Sequence, residues 1–217
     1  PWAGVASADE LAHWGAVADA VAASLRPGAL KRDRVGAPGD ALEQLRELAG
    51  LVIPAEHGGA GAHWETAFAV IRTVSRADAS LGQILGYHYL NQACVAFYGE
   101  PERRERWYRA STEQRLLWSD AFNPVSPDLS FTADGDGYVL NGVKRFATGA
   151  AVTDVVISGA IAEGGRYDGE LVVFALDARR AGVEHPDDWD HLGQRASASG
   201  SIRFTGVRIA DADVIGV

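Results

Sequence analysis

The stretch GYVLNGVKRFATG, Gly137 to Gly149, constrains the fold more than any other part of the chain. An Asn-Gly pair between apolar runs is the strongest short-range hairpin signal, because both central turn residues take positive φ. The spacing therefore predicts two short strands joined at Asn141-Gly142 and closing on the polar pair Thr148-Gly149. More sheet surrounds it. From about Arg115, short apolar or β-branched runs alternate with turn signals at Asp134-Gly135-Asp136-Gly137, Gly164-Gly165, Asp168-Gly169 and Gly200. That pattern predicts a small antiparallel β-barrel or sandwich.

The chain before Arg115 reads as helical. Ser7-Ala8-Asp9-Glu10 has the form of a capping box. Leu11, Trp14, Val21 and Leu25 then recur at helical spacing until Pro27-Gly28. Asp40 to Glu43 repeats the cap pattern ahead of Leu42, Leu45 and Leu48, and Gly50 suits the left-handed position after a helix. Beyond a glycine-rich loop, Pro54 to Gly61, residues Trp64, Phe68 and Ile71 mark a third helix. Ser80 to Gln83 is a further capping box, opening a helix that reaches about Tyr98. Pro101 suits the first turn of a short charged helix. The expected fold class is α+β: an N-terminal helical domain over residues 1–112 and a β domain over residues 113–217.

Composition narrows the function. With 217 residues, 47% hydrophobic, the chain can build a core without disulfide or metal staples. The single cysteine, Cys94, rules out an internal disulfide and a multi-cysteine zinc site, and fits a reducing cytoplasm. Net charge is −9, and Arg103, Arg104 and Arg106 are interleaved with Glu102 and Glu105. This is a mixed-charge solvated helix, so nucleic acid is not an expected partner. No apolar run approaches the roughly 20 residues that span a bilayer, and the first residues do not form a secretory signal. The chain starts at Pro1 and has no methionine, so it is expected to be part of a longer product.

Residues with chemical potential fall in a few places. His88 shares a face of a mainly apolar helix with Asn91 and Gln92. It is either a satisfied interior histidine or part of a hydrogen-bonding cluster facing a ligand. In Phe122-Asn123-Pro124, the Asn123 amide serves a ligand or an Asx turn before Pro124. Thr148 offers a hydroxyl beside Gly149, whose missing side chain lets a flat ligand approach, and Phe146 offers a ring. Lys144 is expected to face solvent. Arg195 carries a permanent charge and a fork of donors, suited to a phosphate, an interface carboxylate or Asp190. His185, Asp190 and His191 lack a third ligand at sensible spacing, so no metal is expected. Nucleophile-elbow, HExxH and Rossmann patterns are missing from the sequence, so no dedicated NAD(P)H domain is expected.

These segments resemble the acyl-CoA dehydrogenase superfamily. The helical-then-β order is that family's. Gly50 to Gly61 resembles its G-x-x-x-P-x-x-x-G-G-x-G segment, Phe146 to Gly149 its flavin-contact strand, and Gly193, Arg195 and Ser197 its G-x-R-x-S/T pattern. Relatives carry a third, helical-bundle domain, expected where this chain stops. The dehydrogenases' T-E-P…G-S-D pattern is missing from Leu116 to Val125. Gly86-Tyr87-His88, Trp189-Asp190 and Ser199-Gly200 instead resemble the flavin-dependent monooxygenases of the dibenzothiophene and sulfone type.

The resemblance implies the oxygenase component of a two-component flavin monooxygenase. Reduced FMN (alternatively FAD) would come from a separate reductase, oxygen would add at the flavin C4a position, and the substrate would be a small apolar sulfur or aromatic compound. It implies a homotetramer in the cytoplasm. It assigns catalysis to His88, Asn123 and Thr148, and cofactor contact to Phe122, Asn123, Phe146, Thr148, Gly149 and Arg195. Gln92 stands where some relatives carry a tyrosine. The competing readings are an FAD-dependent acyl-CoA dehydrogenase and a non-catalytic interaction module.

Overall fold

In a computed structural model, which describes residues 4–122 and 128–217, helices give way to strands just after Gln114. The helices are α1 (Ala8–Leu25), α2 (Ala29–Val35), α3 (Leu42–Leu45), α4 (Trp64–Ala77), α5 (Ala79–Tyr98) and α6 (Pro101–Gln114). Their ends are decided by tertiary partners as much as by local caps. Ser7 accepts the Glu10 amide at 3.1 Å, but Glu10 does not reach back to Ser7. Its carboxylate instead takes the His63 amide and ring Nδ1, at 2.9 and 2.8 Å, and the Thr66 hydroxyl, fastening α1 to the start of α4. Pro27-Gly28 does not end the helical path, because a 3₁₀ turn carries the chain into α2. The cap of α5 is Asp78, which accepts from the Ser80 and Leu81 amides at 3.0 and 3.2 Å, and Gln83 is free for another task. Asp40 caps nothing. The left-handed glycine expected at Gly50 lies instead at Gly58, φ 87°, where the Pro54 to Gly61 loop reverses.

The strands are β1 (Trp118–Ala121), β2 (Leu129–Asp134), β3 (Gly137–Lys144), β4 (Val155–Ile161), β5 (Leu171–Asp177), β6 (Val183–Glu184), β7 (Ile202–Ile209) and β8 (Val214–Gly216). They form two four-stranded sheets, ordered β1-β4-β5-β8 and β2-β3-β7-β6. The pairings are antiparallel except β1 with β4, which run parallel. Phe131, Leu140, Val156, Phe174, Ile202 and Phe204 fill the space between the sheets. The outer face of the first sheet also packs on helices: Trp118, Ile157, Val173 and Ile215 meet Ile53, Val95 and Tyr108. This explains why β4 and β5 are almost continuously apolar, since strands covered on both faces cannot alternate. β7 is covered on one face and alternates buried with exposed residues.

The expected turn at Asn141-Gly142 is not there. β3 runs straight through it, and the hairpin between β2 and β3 turns at Gly135-Asp136. Against β7, Leu140 faces Val207 while Gly142 faces Phe204, so β7 holds one extra residue. This is a β-bulge, with Gly206 left-handed at φ 61° and its amide donating to Asn141 Oδ1 at 2.7 Å. The bulge lets Phe204 and Val207, three residues apart, both point inward. Lys144 is also not solvent-facing: it is 3% exposed, and burial lowers its pKa while Asp128 opposes the shift.

Gly142 has φ 125°, and a Cβ there would strike the Asp128 carbonyl, which accepts the Val143 amide. Gly142→Ala should therefore cost about 2 to 3 kcal/mol, from backbone strain plus overpacking. Urea unfolding would show it as a lower midpoint. An unchanged midpoint would restore the open-turn reading.

Candidate functional site

Two loops meet at the edge of the β domain and carry most of the left-handed non-glycine backbone among the described residues. One follows β3, Arg145 to Thr153. The other runs from His185 to Ser201. Four non-glycine residues among those described have left-handed φ, and three of them (Phe146, Gln194 and Ala198) lie in these loops. Such backbone costs about 1 to 3 kcal/mol per residue and persists only where surrounding contacts fix it. The fixing contacts are visible. Ala147 donates to the Gly200 carbonyl at 2.9 Å, and Gly149, φ 77°, donates to the Ser197 and Ala198 carbonyls at 3.1 and 3.2 Å.

The left-handed turn holds the Phe146 ring outward, 68% exposed. Beside it, Trp189 and His191 stack at 3.7 Å between centroids, and Phe146 stands edge-on to both, at 6.5 and 6.3 Å. An exposed group of three aromatic rings at a strained loop is a surface for a flat ligand. Beneath it lies Thr148, 3% exposed. Its Oγ1 accepts from Ser199 Oγ at 3.1 Å and from Gln83 Nε2 at 3.3 Å. Gln83 also lines a groove of about 450 Å³ between α4 and α5, with Ile71, Ser75, Tyr87, Leu90 and Gln194. Ser199 lines a smaller hollow of about 150 Å³ with Phe146, Trp189 and His191. The structure thus brings together Phe146, Thr148 and Gly149. Arg195 sits in the second loop, its amide donating to Asp33 Oδ1 at 3.4 Å, and its buried Nε has no partner among the described residues.

His88 is elsewhere, in the position of a satisfied interior histidine. The ring is completely buried between α5 and β1. Nε2 donates to the Ala49 carbonyl at 2.8 Å, and Nδ1 accepts the Trp118 amide at 3.1 Å. Both nitrogens are committed to backbone, so no proton is left for a ligand. Burial, the dominant cause, pushes the His88 pKa down to about 4. Gln92 donates to the same Ala49 carbonyl at 2.9 Å, while both polar atoms of Asn91 are buried without partners among the described residues. Phe122 packs its ring on Tyr98, 6.0 Å away, and on Gly159, in the core between helices and sheet. Asn123 lies outside the described residues.

Four residues were given no site role in the sequence reading. Gln83 looks like a helix cap in sequence, and nothing local marks it as the neighbour of a residue 65 positions away. Ser197 ends a 3₁₀ turn and Ala198 between the two serines is left-handed at φ 47°, so the 2.7 Å contact of their hydroxyls is not readable from residue spacing. Asp120 stands in the largely buried strand β1, accepts the Phe122 amide at 2.9 Å, and is pushed up to about 6 by burial. Among the described residues no group of three His, Cys, Asp or Glu could hold a metal, and no helix is long and apolar enough to cross a membrane.

A helical layer docked on a two-sheet β domain, with a strained aromatic loop at its edge, defines a known class of chain. Residues 7–114 match the acyl-CoA dehydrogenase N-terminal domain, and residues 110–207 match the acyl-CoA dehydrogenase middle domain. The chain belongs to the acyl-CoA dehydrogenase family. Within it, the chain is 35% identical over 212 residues to dibenzothiophene monooxygenase of Rhodococcus erythropolis, covering 93% of this chain and 51% of that one. It is 33% identical over 198 residues to the probable FMNH2-dependent monooxygenase SfnC of Pseudomonas putida, covering 89% and 49%. The crystal structure of TdsC from Paenibacillus sp. A11-2 with FMN and indole superposes with a TM-score of 0.89 at 33% identity, covering 94% of this chain and 53% of that one. Glutaryl-CoA dehydrogenase of Desulfococcus multivorans is more distant, at 26% over 191 residues. The chain spans about half the length of the curated relatives it matches.

The His88 assignment has a pH signature. Unfolded histidine takes a proton near pH 6.5, and the buried ring only near 4. Between those values the unfolded chain binds more protons, so stability is fully present above about 6.5 and falls toward 4, by on the order of 3 kcal/mol from this group. Subtracting the urea stability profile of His88→Gln from that of the wild type should isolate this loss. A flat difference would mean that His88 titrates freely when folded.

Proposed function

We propose that the full-length protein is the oxygenase component of a two-component flavin monooxygenase. It uses reduced FMN and O2 to oxygenate a small apolar sulfur or aromatic compound. The observation that carries this reading is the Phe146 to Gly149 loop, on a fold that superposes on FMN-bound TdsC. The residues fit the cofactor: an exposed ring to pack on a flat system, a left-handed glycine, and a buried hydroxyl whose proton has no protein acceptor among those described. Reduced FMN held there would supply the electrons and the C4a carbon at which oxygen is activated, so that one oxygen atom could go to the substrate and the other to water.

The chain's own residues bind, orient and shield. Phe146, with Trp189 and His191, covers a face of the cofactor. Thr148 gives one fixed hydrogen bond, and Gly149 leaves room for the ring edge. Arg195, with an unused donor, serves the phosphate or an interface carboxylate. Asn123 keeps its proposed role as an amide toward the cofactor. His88 acts one step back, by holding β1 against α5. Excluding water from the loops preserves an oxygen adduct that water and stray protons would discharge as peroxide. Electrons come from a separate reductase, and the protein assembles as a cytoplasmic homotetramer. The dehydrogenase reading is weaker, because identity falls from 35% to 26% between the monooxygenase and the acyl-CoA enzyme.

Anaerobic mixing of full-length protein with reduced FMN, then with oxygenated buffer, tests this. Reoxidation should be slower than for free FMN and pass through a transient absorbance band, and dibenzothiophene should become its oxide. Thr148→Val should shorten the transient by about tenfold, the weight of one well-placed hydrogen bond. Bleaching of bound flavin by an acyl-CoA, with no transient, would move the protein to the dehydrogenases.

A further inference from the structure

The hydroxyls around Thr148 form a chain with a direction. A threonine hydroxyl has one proton and two lone pairs. Ser199 Oγ and Gln83 Nε2 both donate to Thr148 Oγ1, at 3.1 and 3.3 Å, so both lone pairs are taken. The Ser199 proton goes to Thr148, which fixes the sense of the 2.7 Å contact between the serines: Ser197 donates to Ser199. All three hydroxyl residues are at most 3% exposed, so water does not compete for these bonds. The Thr148 proton is then forced to point away from all of them. The two donors come from opposite walls, Gln83 from the α4–α5 groove and Ser199 from the aromatic hollow. A buried, fully directed hydroxyl of this kind is worth more than one that rotates freely, because low dielectric strengthens each bond and polarisation passes along the chain.

We propose that Gln83 and Ser199 are positioning residues that set Thr148 as an obligate hydrogen-bond donor to the flavin ring system. The inference rests on the flavin reading above and deepens it. The site then selects a ring atom that accepts, such as a carbonyl oxygen or an unprotonated ring nitrogen. It discriminates against an N–H at the same place. Replacing either donor by an acceptor would reverse the chain, because the Thr148 proton would turn inward to satisfy it.

Gln83→Glu makes that reversal with almost no change of shape. The probe is oxidised FMN, titrated into full-length protein at pH 8 and pH 5 and followed by flavin absorbance and fluorescence. Each variant is read as a ratio to wild type at the same pH, which cancels contributions from the neighbouring His191 and Asp188 that are common to both proteins. At pH 8 the introduced carboxylate accepts the Thr148 proton. FMN affinity should fall about tenfold, the flavin band should return toward its position in free FMN, and both should recover at pH 5, where the introduced carboxyl, once protonated, can donate again. Ser199→Ala should fall partway. In a Thr148→Val background, Gln83→Glu should have no further effect and no pH dependence. Wild-type affinity for Gln83→Glu at pH 8, or an equal loss in the Thr148→Val background, would overturn the relay while leaving the flavin reading intact. Wild-type protein that binds neither oxidised FMN nor, anaerobically, reduced FMN would overturn both.

Discussion

The bond pair at His88 is the joint on which the rest of the structure depends. A single neutral ring, sealed between α5 and β1, gives one proton to Ala49 and takes one from Trp118. The strand at the edge of the first sheet is thereby held to the central helix. Two further ties reinforce it: Arg46 grips Asp154 at 2.6 Å, and Asp154 accepts the Leu117 amide at 2.8 Å. Burial, the largest single influence on the Asp154 carboxyl, pulls its pKa up, but Arg46 and that amide together hold it below its ordinary value. A charged ring could not accept the Trp118 amide, so the joint requires the depressed pKa that burial gives His88.

The joint matters for function because it fixes where Gln83 lies. α5 carries His88 on its buried side and Gln83, Tyr87 and Leu90 along the groove. Once β1 is locked to α5, the Asp120 amide meets the Thr148 carbonyl at 3.4 Å, and Thr148 comes within reach of Gln83. The strained loops add precision rather than stability. Phe146, Gln194 and Ala198 are held left-handed where backbone bonds tie the two loops together. What results is one outward ring and one directed hydroxyl, the two features a flat, polar-edged cofactor requires.

Much of this was legible. The change from helical to strand spacing near residue 115 is read directly from apolar periodicity, and the boundaries of α5 and α6 follow from Gly99 and Pro101. The misreadings share a cause. Asn141-Gly142, Glu10 and Ser80 each carry a strong local signal, and each is overridden by a competing partner, from another element for the first two and from two residues upstream for Ser80. β7 takes up the Asn141 side chain, α4 takes up Glu10, and Asp78 caps α5 in place of Ser80. His88 was ambiguous for the same reason, because a histidine on an apolar helix looks alike whether it faces a ligand or a strand.

By itself the sequence determined the α+β order, the family, and the Phe146-Thr148-Gly149 motif. These depend on residue type and near-neighbour spacing, which a linear chain displays in full. Only the tertiary structure decided which polar groups keep a proton to offer. That is a question of how many partners each lone pair and each N–H meets in space, and the partners here lie 39, 51 and 65 residues apart. Folding commits His88 to the backbone and leaves Thr148 with one proton to give.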